Sequence, residues 1–220
     1  MFQGFTDRTQ SFLWDLQFNN ERSWFLEHKA EFENEVNTPF KELGRDTLEL
    51  VRAKYPLSGL EIHISRIYRD ARRLFGRGPY KDHLWFSIKN RINGYNGPSM
   101  FFELSTRGYC YGMGFYCANA TEADAFRKSV DANVERFRTL AKSVSEMSEF
   151  HIEGPLYKKP KGDYGDIVNG WYNRKYVSVI CERDYDDLVK SDRLPQVLSE
   201  AYIKLMPMYD YLNTFCKDYL

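Results

Sequence analysis

The chain has 220 residues, with 31 Lys+Arg balanced by 31 Asp+Glu, so its formal charge is zero. Hydrophobic residues make up 43% and charged residues 28%, which excludes a mainly disordered chain; roughly 70% of the unfolded surface of such a chain can be buried without a disulfide or metal staple. No apolar run nears the ~18 residues of a membrane span, Met1 to Gln10 lack the order of a secretory signal, and zero net charge argues against a generally basic nucleic-acid binder.

The first part, 1–56, reads as helical. Thr6 is placed to cap a helix carrying Thr9, Phe12, Leu13 and Leu16 on one stripe. Asn19-Asn20 breaks it, and Asn20 is placed to cap a second helix with Phe25, His28, Phe32 and Val36 on one face. Thr38-Pro39 restarts the pattern, with proline suited to a first helical turn, and this third helix runs to about Tyr55, before Pro56.

The period then changes. Over 60–117, Leu60, Ile62 and Ile64 alternate with Glu61, His63 and Ser65, and Leu84, Phe86 and Ile88 alternate likewise, the pattern of half-buried strands. Strands at Ser99 to Thr106 and Tyr109 to Cys117 flank Arg107-Gly108, a hairpin turn signal. A helix over 121–142 follows, with Thr121 and Asp124 arranged like a capping box. The stretch 149–183 reads as a long Gly/Pro-rich loop and a strand from Tyr176 to Glu182. Over 192–218, Leu194, Leu198, Ala201, Leu205, Met208 and Leu212 give C-terminal helices kinked or broken at Pro207. The order predicts one α+β domain over 1–220: an antiparallel sheet of about five strands, with helices from both termini packed on it.

The four cysteines, Cys110, Cys117, Cys181 and Cys216, have no zinc-finger or disulfide spacing and read as reduced thiols of a cytoplasmic protein. The sequon at Asn119 is a chance match without a signal peptide. His28, His63, His83 and His151 share no metal-ligand spacing, so no metal is expected, and no cofactor fingerprint is present. Trp24 and His28 stand four apart on one helix side, either as a packed pair or as an aromatic wall beside an acid/base group.

One segment departs from the neutral whole. Residues 66–81 hold Arg66, Arg69, Arg72, Arg73, Arg77 and Lys81 against the single acid Asp70, while the first sixty residues hold ten acids against seven bases. Five arginines in twelve residues repel one another unless acids or a ligand neutralise them. The guanidinium fork fits carboxylate or phosphate, and Gly76 and Gly78 would let backbone N–H groups approach an anion. Asp70 is also a ready partner for Arg69 or Arg72. A second basic stretch, Lys158, Lys159, Lys161, Arg174 and Lys175, is interleaved with Tyr157, Tyr164, Trp171, Tyr172 and Tyr176, a pattern that serves nucleic acid or a packed loop.

Phe2-Gln3-Gly4-Phe5, Phe12-Leu13, Asn19-Asn20-Glu21-Arg22 with Trp24-Phe25 and His28-Lys29, Ser65-Arg66-Ile67-Tyr68-Arg69-Asp70 with Arg72, Pro79-Tyr80-Lys81 and Lys159-Pro160-Lys161-Gly162 occur along the chain in this order. On these motifs the chain resembles a family found in bacteria and fungi, domain of unknown function 2461. The resemblance implies a shared fold and a set of positions, but no activity. Where the commoner family pattern has an aromatic, a small residue and Lys-Asp-Lys, this chain has Arg73-Leu74-Phe75-Gly76-Arg77-Gly78, the mark of a divergent subgroup whose loop binds something different.

The reading that follows is a protein that binds, or acts on, an anionic, phosphate-bearing small molecule. Arg66, Arg69, Asp70, Arg72, Arg77, Lys81 and Trp24 are its binding candidates, and Tyr80, His83 and His28 its candidates for proton transfer. Two alternatives stand beside it. One is a nucleic-acid module using both basic regions. The other is a structural or interaction protein whose arginines form an internal salt-bridge network. Oligomeric state is not legible in the chain.

Overall fold

The computed structural model describes residues 1–55, 59–74, 76–90, 97–116 and 120–217. Pro56, Phe75, Cys117 and Asn119 of the sequon lie outside the described residues, as do the side chains of Arg73, Phe215 and Cys216.

The architecture is α+β, built on a six-stranded antiparallel open sheet in the order β1-β2-β3-β4-β6-β5. The strands are β1 (Leu60–Ile64), β2 (His83–Asn90), β3 (Ser99–Ser105), β4 (Gly108–Phe115), β5 (His151–Glu153) and β6 (Val177–Asp184). Five match the alternating runs of the sequence. The sixth, β5, is too short to show a period, and it pairs with β6 from Glu153 opposite Ser178 to His151 opposite Ile180.

Register aligns the apolar positions into one buried face. Ile62 pairs with Ile88, Phe86 with Phe102, Phe102 with Tyr111 and Tyr111 with Cys181, all on that face. Phe102 sits at its centre, with ring centroids 5.5 Å from Phe86, 5.9 Å from Phe40, 5.8 Å from Tyr109 and 6.5 Å from Phe5. The alternate positions, His63, Trp85, Glu103, Cys110 and Glu182, lie on the opposite, less covered face.

Helices cover the buried face. α1 (Asp7–Phe18) starts with a Thr6/Thr9 capping box, as its sequence indicates. α2 (Arg22–Glu27) and α3 (Lys29–Glu31) lead into a π-helical turn, Phe32–Asn37, and then α4 (Thr38–Lys54). α4 starts at Thr38 with Pro39 in its first turn, as the sequence indicates, but no loop precedes it. The backbone stays helical through Asn37 and Thr38, and the Thr38 N–H bonds to Glu33 O. Proline has no N–H for the ordinary ladder, and a π turn absorbs the gap without ending the helix.

The expected helix over 121–142 is two: α5 (Ala120–Ala132) and α6 (Val134–Ser145), split at Asn133, whose side chain caps α6 through the Arg136 N–H at 3.0 Å. Thr121 lies inside α5 rather than capping it, and the Asp124 carboxylate pairs with Arg127. The 149–183 stretch holds β5 and a short helix, α7 (Asp166–Tyr172), that its glycines and tyrosines conceal. At the C-terminus a single helix, α8 (Leu194–Lys217), runs through Pro207, where a kink or a break was expected. An interior proline costs about 3 kcal/mol, and α8 offsets it by burying Leu198, Tyr202, Leu205, Met206, Tyr209 and Leu212. Among the described residues, no helix is long and apolar enough to cross a membrane.

Candidate functional site

The basic segment follows β1 and returns to β2. Ser65 closes β1 by accepting the Trp85 N–H on its hydroxyl at 2.9 Å, while its own N–H bonds to Trp85 O. Arg69 N–H donates to Pro79 O and Lys81 N–H to Ile67 O, each at 2.8 Å, around a Tyr68–Tyr80 bridge. The segment thus extends the β1–β2 ladder, and its intervening loop is tied at both ends. Gly76, at φ +79°, takes the left-handed position of a turn closed by Arg77 N–H to Leu74 O at 2.9 Å.

Asn20 has a different task from the expected helix cap. α2 is preceded by Glu21, which makes no side-chain cap bond. The Asn20 carboxamide instead spans to Tyr80: Nδ2 donates to Tyr80 O and Oδ1 accepts Tyr80 N–H, both at 2.9 Å. It serves as a one-residue strand partner. Gly78 is small for the same reason, since a Cβ there would overlap the Asn20 carboxamide. That glycine therefore makes room for a side chain rather than for an anion.

The cations divide into two groups. Arg69 is mostly buried; its Nε donates to Tyr80 O at 2.7 Å and its Nη2 to Asp82 Oδ1 at 3.4 Å. Arg72 is exposed and holds Asp70 in a fork, Nε to Oδ1 at 3.0 Å and Nη2 to Oδ2 at 2.8 Å, with its own N–H also on Oδ1. Arg77 bonds Leu74 O through Nε at 3.4 Å. Arg66 and Lys81 differ: among the described residues, neither has a side-chain hydrogen bond or ion pair. Lys81 Nζ stands 6.0 Å over the Trp85 ring. Burial lowers its pKa below the ordinary 10.5, the Arg69 and Arg66 charges lower it further, and only Glu103 acts the other way.

Arg66 and Lys81 line one open cleft of about 400 Å³ with His63, Ser65, Tyr68, Arg69, Asp70, Arg72 and Trp85. Four cations there face one carboxylate, and that carboxylate is already taken by Arg72. The arrangement suits an anion large enough to meet a guanidinium and an ammonium together, beside the Trp85 and Tyr68 rings.

The remaining candidates lie elsewhere. Tyr80 is buried, its ring stacked on Phe25 at 4.2 Å, and does not line the cleft; burial raises its pKa first, with Tyr68 adding to the shift. His28 stacks on Trp24 at 4.1 Å and its Nδ1 bonds Trp24 O at 2.8 Å, a packed pair on the helical side. His83 lines a neighbouring cavity of about 200 Å³ and bonds Asp82 Oδ1 through Nδ1 at 3.0 Å. Asp82 was missed in the sequence because its partners, Arg69 and His83, converge on it only once the ladder forms.

Other groupings are less suited to an anion. A cavity of about 430 Å³ on the same sheet face is lined by Glu103, Cys110, Glu182, Arg183 and Asp184. Burial, with Glu103, Glu182 and Glu153 nearby, pushes the Cys110 thiol up to about 12, which keeps it from being a thiolate nucleophile. The sheet also brings His151, Glu153 and Glu182 together, a possible metal-ligand set that spacing alone could not show, but all three are exposed, and His151 pairs with Glu153 at 3.2 Å. In the second basic stretch Trp171 and Tyr172 are buried, Arg174 Nε bonds Gly170 O at 2.8 Å, and Lys161 stands 5.0 Å over Tyr157.

A family model for a conserved hypothetical protein, DUF2461, matches residues 8–211. The chain belongs to the DUF2461 family. No curated protein matches the sequence. Within this DUF2461 chain, the segment that carries the resemblance, Ser65 to Lys81, is also the one that forms the cationic cleft, and Asn19-Asn20 is held against it.

Proposed function

We propose that this DUF2461 protein binds an anionic, phosphate-bearing small molecule in the cleft between Arg66 and Lys81. The observation that supports it is the division of the cations: Arg69 and Arg72 are paired with Asp82 and Asp70, while Arg66 and Lys81 share the cleft and, among the described residues, have no ion pair. Two like charges held beside a half-buried lysine are relieved when an anion enters.

The same division answers the structural alternative in part, because Arg69 and Arg72 do brace the loop. A nucleic-acid strand is less well served. The second basic stretch has its largest rings packed inward, which leaves them unable to stack on bases.

The test is a thermal-shift panel of inorganic phosphate, sugar phosphates, nucleotides and carboxylates. A ligand at 100-fold its Kd adds about 2.7 kcal/mol of stability. That increment is expected in the wild type and in Arg77→Ala, which lies outside the cleft, and is lost in Arg66→Ala/Lys81→Ala. An equal response in the double variant removes the proposal.

A further inference from the structure

The Asp82–His83 pair stands beside the anion cleft and does no work in binding. His83 Nδ1 bonds Asp82 Oδ1 at 3.0 Å, and the same oxygen receives Arg69 Nη2 at 3.4 Å. Asp82 thus links the two places: it bonds Arg69, which lines the anion cleft, and with His83 it lines the second cavity. The groups facing His83 there are Asp82, Glu103 and Arg107, with Trp14, Gln17, Ser105 and Thr106 completing the lining. Ser105 stands opposite His83 in the β2–β3 register, but its hydroxyl donates to Gly108 O at 3.1 Å and accepts Arg107 N–H at 3.3 Å, so it is not poised as a nucleophile. Nδ1 is held by the carboxylate, which leaves Nε2 as the ring nitrogen available to a ligand; among the described residues it has no partner. A carboxylate on Nδ1 fixes the tautomer and supports the imidazolium. Burial opposes the charge on Asp82, but the bond from His83 and the charges of His83 and Arg69 outweigh it and hold the carboxyl below the ordinary value, so Asp82 stays ionised for that task.

We infer that the two cavities form one composite site for a phosphate monoester of an alcohol, with the phosphate between Arg66 and Lys81 and the alcohol reaching past Asp82 to His83, which acts as general acid. This rests on the anion-binding reading above. In the step, a water oxygen bonds to phosphorus, the phosphorus–oxygen ester bond breaks, and its electron pair leaves on the alcohol oxygen. That oxygen takes the proton from His83 Nε2. The proton released by the attacking water restores the imidazolium, so ester and water give alcohol and phosphate.

General-acid help matters for a poor leaving group and little for a good one, and this decides the test. Glycerol 2-phosphate and p-nitrophenyl phosphate are offered to the wild type and to His83→Gln, with inorganic phosphate in a parallel thermal shift. We expect turnover of both esters by the wild type. In His83→Gln the alkyl ester loses about 10²–10⁴-fold in kcat and the aryl ester far less, while phosphate stabilises both proteins equally. If phosphate stabilises the wild type but neither ester turns over, or if both esters lose equally or not at all, the general acid is overturned and the anion site stands. If phosphate gives no stabilisation, the anion site itself has failed.

Discussion

Truncating Phe102 to Ala lowers the unfolding free energy by about 3–5 kcal/mol. The ring is wholly buried and touches elements far apart in the chain: Phe5 before α1, Phe40 on α4, Phe86 on β2 and Tyr109 on β4. Close-packed interiors do not collapse around a lost ring, so the cost includes a cavity as well as lost transfer energy. In a domain of this size that is a fall of roughly 6–20 °C in Tm. Calorimetry or a urea titration reads it, and a loss under about 1 kcal/mol would mean the aromatic layer is not the centre of the core.

The second large effect joins stability to the site. Asn20→Ala removes both bonds that hold the Tyr80 backbone, and the Tyr80 N–H is left unpaired in a part-buried place, while its carbonyl keeps the Arg69 guanidinium. Two lost bonds and one orphaned donor amount to roughly 2–4 kcal/mol. Tyr80 precedes Lys81, so the loss should also blunt the response to phosphate. Asn20→Asp is the sharper control: it keeps the acceptor for the Tyr80 N–H but sets a charged oxygen against the Tyr80 carbonyl. Chemical denaturation of the two variants, with and without phosphate, checks both points. Stability and phosphate response within error of the wild type in Asn20→Ala would show that the strap does not hold the cleft.

The parts of this architecture that are local in sequence were legible there. Thr6 and Thr9 are three residues apart and form the capping box that spacing suggests. Leu60, Ile62, Ile64 and Leu84, Phe86, Ile88 alternate because only one sheet face is buried, and the structure turns both sets to that face. Asp70 is the only acid within 66–81, and it does take Arg72. What stayed hidden depends on contacts at long separation. Asn20 looks like a helix stop until Tyr80, sixty residues on, is folded against it. Gly78 looks like part of an anion loop until the Asn20 carboxamide occupies the space beside it. Pro207 looks like a kink or a break because local propensity cannot weigh the tertiary burial of the helix that carries it. The two classes of arginine were not separable by sequence, since Asp82 reaches Arg69 only through the ladder between 67–69 and 79–81.

The neutral chain therefore keeps a local charge imbalance, concentrated on Arg66 and Lys81. The most direct test is the Lys81 titration followed by NMR of its side-chain carbon and nitrogen, in the free protein and with inorganic phosphate. In the free protein Lys81 should titrate below the ordinary 10.5, and Arg66→Ala should move it up, because one of the charges that lowers it is gone. Phosphate should raise the wild-type value, and phosphate affinity should fall as pH rises through it, since the cation is then lost. A Lys81 that titrates at the ordinary value, with no change on adding phosphate, would contradict the account.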